Sequence, residues 1–391
     1  AAATARTPPV TVAVVQGGLA DYARLREAHG SFEATRRILN RYFALSGEAA
    51  EGAQLLVWPE TVYPTTFGRP KSEDGATFDR ALARFVSSVG MPLVFGGYDA
   101  AEDGVEYNAA IVLEPAGAGG SVTFDAYRKT WLFPLTERVP ALLDRPAVRA
   151  WLPWLGTWQR GDGPLVLSVR PKNGAPIRIV PLVCYDAVVP AHTRAAALDG
   201  GELIVTLSND AWFRRGPGTW LHLAASVFRT IETHRPQVRA TTTGISAVID
   251  ASGELRRTAG PGERAVLVEP VVPLALPPTV SMRLGDWVSP ALSLAALLAL
   301  AAGGHQRSGS TQNAPSLKPA GATSKTRLKR ARYSFRSGGD PAAAARIGPL
   351  LCRRQSRCPV KEAADGAASA SASSSSLAAS EPAGYAGSRS R

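Results

Sequence analysis

Short apolar runs of strand length recur over residues 10–275, and most are separated by segments with helical spacing. VTVAVVQ (10–16), QLLVWPE (54–60), PLVFGGY (92–98), IRIVPLV (177–183) and ELIVTLSND (202–210) are rich in Val, Ile and Leu and stop at Pro, Gly or polar residues, as strands buried on both faces do. Between them, SFEATRRILNRYFAL (31–45) puts Phe32, Thr35, Ile38, Leu39, Tyr42 and Leu45 on one face. Further helices are predicted over 76–89 and 190–199, and a helix over 218–233 carries Trp220, Ala224, Val227, Phe228 and Ile231 on one stripe. EYNAAIVLE and SVTFDAY, split by a Gly-rich turn, read as an antiparallel hairpin, and QVRAT, ISAVID and AVLVEP as closing strands. Strands in both βαβ order and hairpins predict an α/β fold with a mixed sheet covered by helices.

Charge is unevenly spread. The formal net charge is +12, but from Gly304 onward fifteen Lys/Arg stand against four Asp/Glu in a stretch rich in Ala, Ser and Gly. The remainder is nearly neutral and has no basic groove, so no nucleic-acid partner is expected. The segment WVSPALSLAALLALAA (287–302) holds sixteen residues without a charge. With a Trp at one end and Lys/Arg beyond the other, it fits a membrane helix whose tail faces the cytoplasm; a buried core helix is the competing reading. The start, AAATARTPPV, has neither a basic n-region nor an apolar h-region and no initiator Met, so the chain is expected to begin partway through a longer one. The organisation expected is a linker over 1–9, a folded domain over 10–275, a transmembrane helix over 285–303 and a disordered, basic, low-complexity tail over 304–391.

Of three cysteines, Cys352 and Cys358 lie in the tail and lack the spacing of a zinc site, so no metal is expected. Cys184 ends the run 177–183 and is followed at once by Tyr185 and Asp186. A thiol there is either a small core hydrophobe or a reactive group offered at the carboxyl end of a strand. Glu60 closes another strand, Lys129 follows the hairpin, and Glu137 lies eight residues beyond it. Each alone reads as a surface charge. Together they supply what thiol-based acyl transfer needs: a carboxylate to take the thiol proton, a cation for the thiolate and the developing oxyanion, and the nucleophile.

The motifs LLVWPET, YRKTWLFPLTERVP and LVCYD, in this order, resemble the Glu-Lys-Cys triad of the nitrilase (carbon-nitrogen hydrolase) superfamily. Within it, LSNDAWF, IETHRP and RATTTGISAVID resemble the apolipoprotein N-acyltransferases, membrane enzymes of bacterial lipoprotein maturation. The likeness covers residues 8–290 and implies an α-β-β-α sandwich plus a C-terminal membrane helix. It also implies an inner-membrane protein with a periplasmic catalytic domain, a phospholipid acyl donor, a diacylglyceryl apolipoprotein acceptor and no cofactor.

By the same resemblance Glu60, Lys129 and Cys184 are catalytic, with Glu137, Tyr185 and Asp186 in support; Trp212 and Phe213, with Tyr185, are either walls of an apolar acyl pocket or plain core aromatics. Asp186 stands where the family usually has Glu, and Thr136 where it usually has Gly. The bundle of membrane helices that precedes the domain in that family is not among these residues. Two other readings compete: a soluble amidase or nitrilase using the same triad, and a non-catalytic membrane-anchored domain, against which the complete triad argues. His192, His222 and His234 admit a Cys–His pairing, but Glu60 already supplies a base.

Overall fold

The computed structural model describes residues 8–19, 22–117, 121–139, 145–151, 158–213 and 217–308. In chain order the elements are β1 (Val10–Gln16), α1 (Tyr22–Ala49), β2 (Leu55–Val57), α2 (Glu73–Val89), β3 (Leu93–Ala100), β4 (Glu106–Pro115), β5 (Val122–Arg128), α3 (Pro146–Trp151), β6 (Leu167–Val169), β7 (Ile177–Val183), α4 (Pro190–Leu198), β8 (Leu203–Ser208), α5 (Gly218–Thr233), β9 (Gln237–Thr241), β10 (Ser246–Ile249), β11 (Leu255–Ala259), β12 (Ala265–Val271), α6 (Val280–Leu284) and α7 (Val288–Ser308).

The strands form two six-stranded sheets, ordered β12-β1-β2-β3-β4-β5 and β11-β10-β9-β8-β7-β6. Each has a parallel centre, β1-β2-β3 in one and β7-β8-β9 in the other, flanked by antiparallel strands. The mixed sheet read from sequence is thus a pair of mixed sheets.

Alternation along β1 sets the layers. Val10, Val12 and Val14 join Ile177, Ile179, Val205 and Val238 of the other sheet in a core between the sheets. Ala13 and Val15 point the other way, into a second core with Ile38, Leu39 and Tyr42 of α1 and Leu82 and Val86 of α2. The period-2 geometry of a strand gives this division directly. Smaller clusters, one with Val180, Leu182 and Ala196 and one with Leu223, Ala247 and Ile249, lie on the outer face of the second sheet. The result is a nitrilase-type α-β-β-α arrangement.

Helix α2 is capped at both ends. The Ser72 hydroxyl accepts the Gly75 N–H at 3.2 Å, and Gly90 closes the helix in the left-handed region at φ 61°. Helix α1 is two helices merged at Gly30, whose φ of 80° interrupts the helical path. Of the face predicted over 31–45, Thr35, Ile38, Leu39, Tyr42 and Leu45 are buried, while Phe32 stays on the surface and stacks on Phe78 at 5.0 Å.

The stripe on α5 faces outward. Trp220, Phe228 and Ile231 are exposed, whereas Thr219, His222, Ser226, Arg229, Thr230 and Thr233 are buried. The cause is the surface beneath. The outer face of the second sheet presents Gln237 and Arg239, whose side chains need partners once buried. Arg239 donates to the Ser226 hydroxyl at 3.0 Å and Thr230 to Gln237 at 3.0 Å, while Gln237 donates to Thr206 at 2.6 Å. The polar side of α5 therefore turns inward.

Of the membrane helix predicted over 285–303, the part from Val288 onward is present as α7, with a break just before it. Gly285–Trp287 forms a 3-10 turn and α7 begins after it. Among the described residues no single helix is long and apolar enough to cross a membrane, but segments 280–287 and 290–300 meet that measure together, bent by 53°. Pro290 falls in the first turn of α7, where a missing N–H is tolerated. Leu292, Leu294, Leu297, Leu298 and Leu300 of α7 are all exposed. The linker residues 1–7 and the tail residues 309–391 lie outside the described residues.

Candidate active site

Four polar positions lie just past strand ends. Glu60 is three residues beyond β2, Lys129 follows β5, Cys184 follows β7 and Asn209 follows β8. Glu60 is seated by close backbone approach at Gly96 on β3. A Cβ added there would lie 2.4 Å from the Glu60 Cα and 2.7 Å from the Pro59 carbonyl oxygen. Gly96 donates its own N–H to that carbonyl at 3.0 Å. Gly96→Ala should therefore destabilise the fold by about 1–3 kcal/mol or more, as overpacking does. A denaturant midpoint equal to that of the unmodified chain would contradict this seating.

The buried Glu60 carboxylate is fully engaged. Its Oε1 accepts from Asn108 Nδ2 at 2.8 Å and Lys129 Nζ at 3.3 Å, and its Oε2 accepts the Asn209 N–H at 2.7 Å. Glu137 repeats the pattern. Its Oε1 accepts from Lys129 Nζ at 2.8 Å and Asn108 Nδ2 at 3.2 Å, and its Oε2 accepts the Phe133 N–H at 2.7 Å. Two carboxylates thus share one ammonium and one amide. Lys129 is almost wholly buried, which alone would lower its pKa. The charges of Glu60, Cys184 and Glu137 more than offset that and hold it above the ordinary lysine range.

Cys184 opens a 3-10 turn, Cys184–Val188, with φ of 50°. That left-handed conformation is disfavoured for a residue with a Cβ, and residues held so are over-determined by their surroundings. Burial, then the Glu60 charge, pushes the thiol up to about 12 against the opposing pull of Lys129. The resting group at neutral pH is therefore the thiol, and chemistry at sulfur requires a base close by.

Asp186 ties the cysteine turn to the segment after Lys129. Its Oδ1 accepts the Trp131 N–H at 2.7 Å, and its Oδ2 accepts the Val183 N–H at 3.0 Å and the Tyr127 hydroxyl at 2.8 Å. Burial raises its carboxyl to about 6 despite Lys129 and these three donors.

Glu60, Lys129, Glu137 and Cys184 line one cavity of about 530 Å³, whose other walls include Tyr185, Phe213, Val188 and Leu221. Tyr185 meets Phe133 edge-on at 5.3 Å, and Phe213 meets the His222 ring at 6.0 Å. The side chain of Trp212 lies outside what the structure describes. The structure thus brings together the sequence-predicted Glu60, Lys129, Glu137, Cys184, Tyr185 and Phe213 around one space, with Asp186 behind it.

Sequence reasoning missed Asn108 and the Asn209 N–H. The available signal for Asn108 was a lone amide beside the apolar run AAIVL. It also left His222 without a role. His222 reaches the Cys184 carbonyl oxygen, with Nε2 at 3.1 Å. His192 lies instead beside the Tyr127 hydroxyl at 2.9 Å, and burial, with Arg160, pushes it down to about 4.

Two mixed sheets between helix layers, with a thiol, an ammonium and two carboxylates on one cavity, define an α/β protein with a cysteine-centred site. The family model described as carbon-nitrogen hydrolase matches residues 11–273, and the chain belongs to that family. Among curated proteins it is similar to the "Apolipoprotein N-acyltransferase" of Bdellovibrio bacteriovorus, 31% identical over 231 residues, covering 56% of this chain and 40% of that protein. It is similarly related to the "Apolipoprotein N-acyltransferase" of Gloeobacter violaceus, 31% identical over 298 residues, covering 75% and 53%. The chain spans about half the length of the curated relatives it matches. Among solved structures it is similar to an amidase from Nesterenkonia sp., with TM-score 0.49 and 21% identity, covering 68% of this chain and 92% of that one.

Proposed function

We propose that the chain carries the catalytic domain of an apolipoprotein N-acyltransferase, which moves an acyl chain from a phospholipid to the α-amine of a diacylglyceryl-cysteine. The observation that carries the reading is the cluster of buried Glu60 and Lys129 with half-buried Glu137 on the same cavity as Cys184, in a chain whose curated relatives bear that name.

Glu60 takes the Cys184 proton as sulfur attacks the ester carbonyl. A thiol pushed up to about 12 calls for such a base. The Lys129 ammonium carries three N–H bonds, and its two carboxylate partners use two. The third, with a backbone N–H after Cys184, stabilises the oxyanion. Collapse breaks the ester C–O bond, lysophospholipid leaves with a proton, and the acyl group remains as a thioester on sulfur. The α-amine then attacks that carbonyl, losing its proton to Glu60. The C–S bond breaks, the amide forms and the thiol is regenerated. Glu137 holds Lys129, and Asp186 holds the cysteine turn. Val188, Leu221 and Phe213 give the cavity an apolar wall suited to an acyl chain, and Tyr185 is assigned to the same pocket.

The reading extends to location. The outward Trp220, Leu221 and Phe228 of α5 and the exposed leucines of α7 support lipid contacts for these two helices. Segments 280–287 and 290–300 form the anchor as a bent pair. With the positive charge beyond it, the positive-inside rule puts the tail in the cytoplasm and the catalytic domain in the periplasm at the inner membrane. A reporter fused after Ser308 should behave as cytoplasmic and one fused at Pro270 as periplasmic. Cytoplasmic behaviour of both would remove the anchor and favour a hydrolase in which water resolves the thioester.

A further inference from the structure

We propose that His222 is a positioning residue whose Nε2–H holds the Cys184 carbonyl oxygen and, through it, the left-handed turn that sets the thiol on the cavity. The inference rests on Cys184 being the reactive residue of the proposed function. A φ of 50° at a residue with a Cβ does not hold itself. The carbonyl at that turn accepts from His222 at 3.1 Å. Since a carbonyl oxygen only accepts, Nε2 must carry a proton.

The other side of the ring is held by a buried ion pair. Nδ1 lies 3.0 Å from Asp210 Oδ1 and 3.1 Å from Arg239 Nη2, and Arg239 Nη2 donates to Asp210 Oδ2 at 2.8 Å. Whichever of these Nδ1 pairs with, the proton on Nε2 remains. Both members of the ion pair are fully enclosed, and each has a further anchor. The Ser208 hydroxyl donates to Asp210 at 2.7 Å, and Arg239 donates to the Ser226 hydroxyl at 3.0 Å.

A buried ion pair is weak evidence for stability in itself, and its best-attested use is to specify one arrangement. Here that arrangement reaches both halves of the site. Asp210 orients His222 onto Cys184, while its neighbour Asn209 gives its N–H to Glu60 at 2.7 Å. With Nε2 on a backbone oxygen, His222 acts through Cys184 and is not the base for its thiol. This is why a Cys–His pairing, plausible from residue types alone, is not the role the geometry supports.

The test compares His222→Gln with His222→Met in the full chain. The two side chains are alike in length, but Gln keeps an N–H donor and Met has none. The primary readout is the alkylation rate of Cys184 by iodoacetamide, measured on its own peptide so that Cys352 and Cys358 do not contribute. The second is single-turnover thioester formation from phospholipid. The Met variant should slow both on the order of 10- to 100-fold, as misplacement of a reacting group does, with half-saturation by phospholipid unchanged. The Gln variant should recover most of the rate.

Equal slowing in the two variants, or none in Met, overturns the proposal. Should the Met variant fail to fold, imidazole 15N spectra of the unmodified chain decide, with His222 assigned by its loss in the Gln variant. A protonated Nε2 supports the role, and an unprotonated one overturns it. If alkylation separates Gln from Met while no version forms a thioester, the positioning role stands and the acyl-transfer reading falls.

Discussion

Incubation of the chain with phospholipid should add one acyl mass that hydroxylamine removes, and Cys184→Ser should abolish that adduct. Loss is expected to be complete at the detection limit for two reasons. The adduct is a thioester, which needs sulfur. A serine hydroxyl is also a poorer nucleophile than a thiol at the same position, and Glu60 evolved beside sulfur would have to activate a far weaker acid. The other two cysteines, in the basic tail, provide an internal control, since acylation there would survive the substitution. An unchanged adduct in the Cys184→Ser chain would return Cys184 to the role of a small apolar residue at the edge of the core.

The next largest effects fall on the two residues that share the buried ion cluster. Glu60→Gln keeps the shape but removes the proposed proton acceptor, so acylation should fall by about 10²–10⁴-fold, the range of general-base loss. It also sets an amide against three donors, Asn108, Lys129 and the Asn209 N–H, so one of these contacts must be lost or turned. Lys129→Met removes the proposed oxyanion partner, on the order of 3 kcal/mol in the transition state. It leaves Glu60 and Glu137 facing each other without their cation, and breaking a buried pair by removing one partner costs about 3–5 kcal/mol of stability. The kinetic effect must therefore be read well below the variant's unfolding temperature. Near-normal thioester formation in either folded variant would make these residues structural charges.

Sequence alone disclosed the strands most clearly where both faces are buried. β1 and β7 begin and end where their Val/Ile runs do, because a strand enclosed on both sides has no polar alternation to confuse it. β11, Leu255–Ala259, escaped notice because four of its five residues are exposed and two are arginines; only pairing with β10 identifies it. Helix α5 was correctly bounded, yet its apolar stripe faces outward. Periodicity reports that a helix has two faces, and the polarity of the surface beneath decides which turns inward. Here that surface is a buried arginine and glutamine on β9, which local pattern does not reveal.

The site divides in the same way. Glu60, Lys129 and Cys184 stood out as polar side chains at the ends of apolar runs, and Glu137 as a carboxylate eight residues beyond Lys129. Asn108 and the Asn209 N–H hold Glu60 across 48 and 149 residues of sequence; the first leaves only a lone amide beside an apolar run, which reads as surface, and the second leaves no local signature, since any residue supplies a backbone N–H. The helix expected over 285–303 starts three residues later, at Val288, because Gly285, with φ of 68° in the left-handed region, ends α6 and a 3-10 turn follows it.

The most direct test of acyl transfer is the fate of the thioester once formed. Protein acylated at Cys184 and freed of phospholipid should keep its acyl group for many minutes in buffer, because apolar walls exclude water from the carbonyl. It should discharge rapidly on addition of a diacylglyceryl-cysteine peptide with a free α-amine, giving the N-acyl peptide, and should ignore the N-acetylated peptide, whose nitrogen is no longer nucleophilic. Rapid discharge in buffer to free fatty acid, unaffected by either peptide, would contradict the account and assign the chain to the hydrolases of its family.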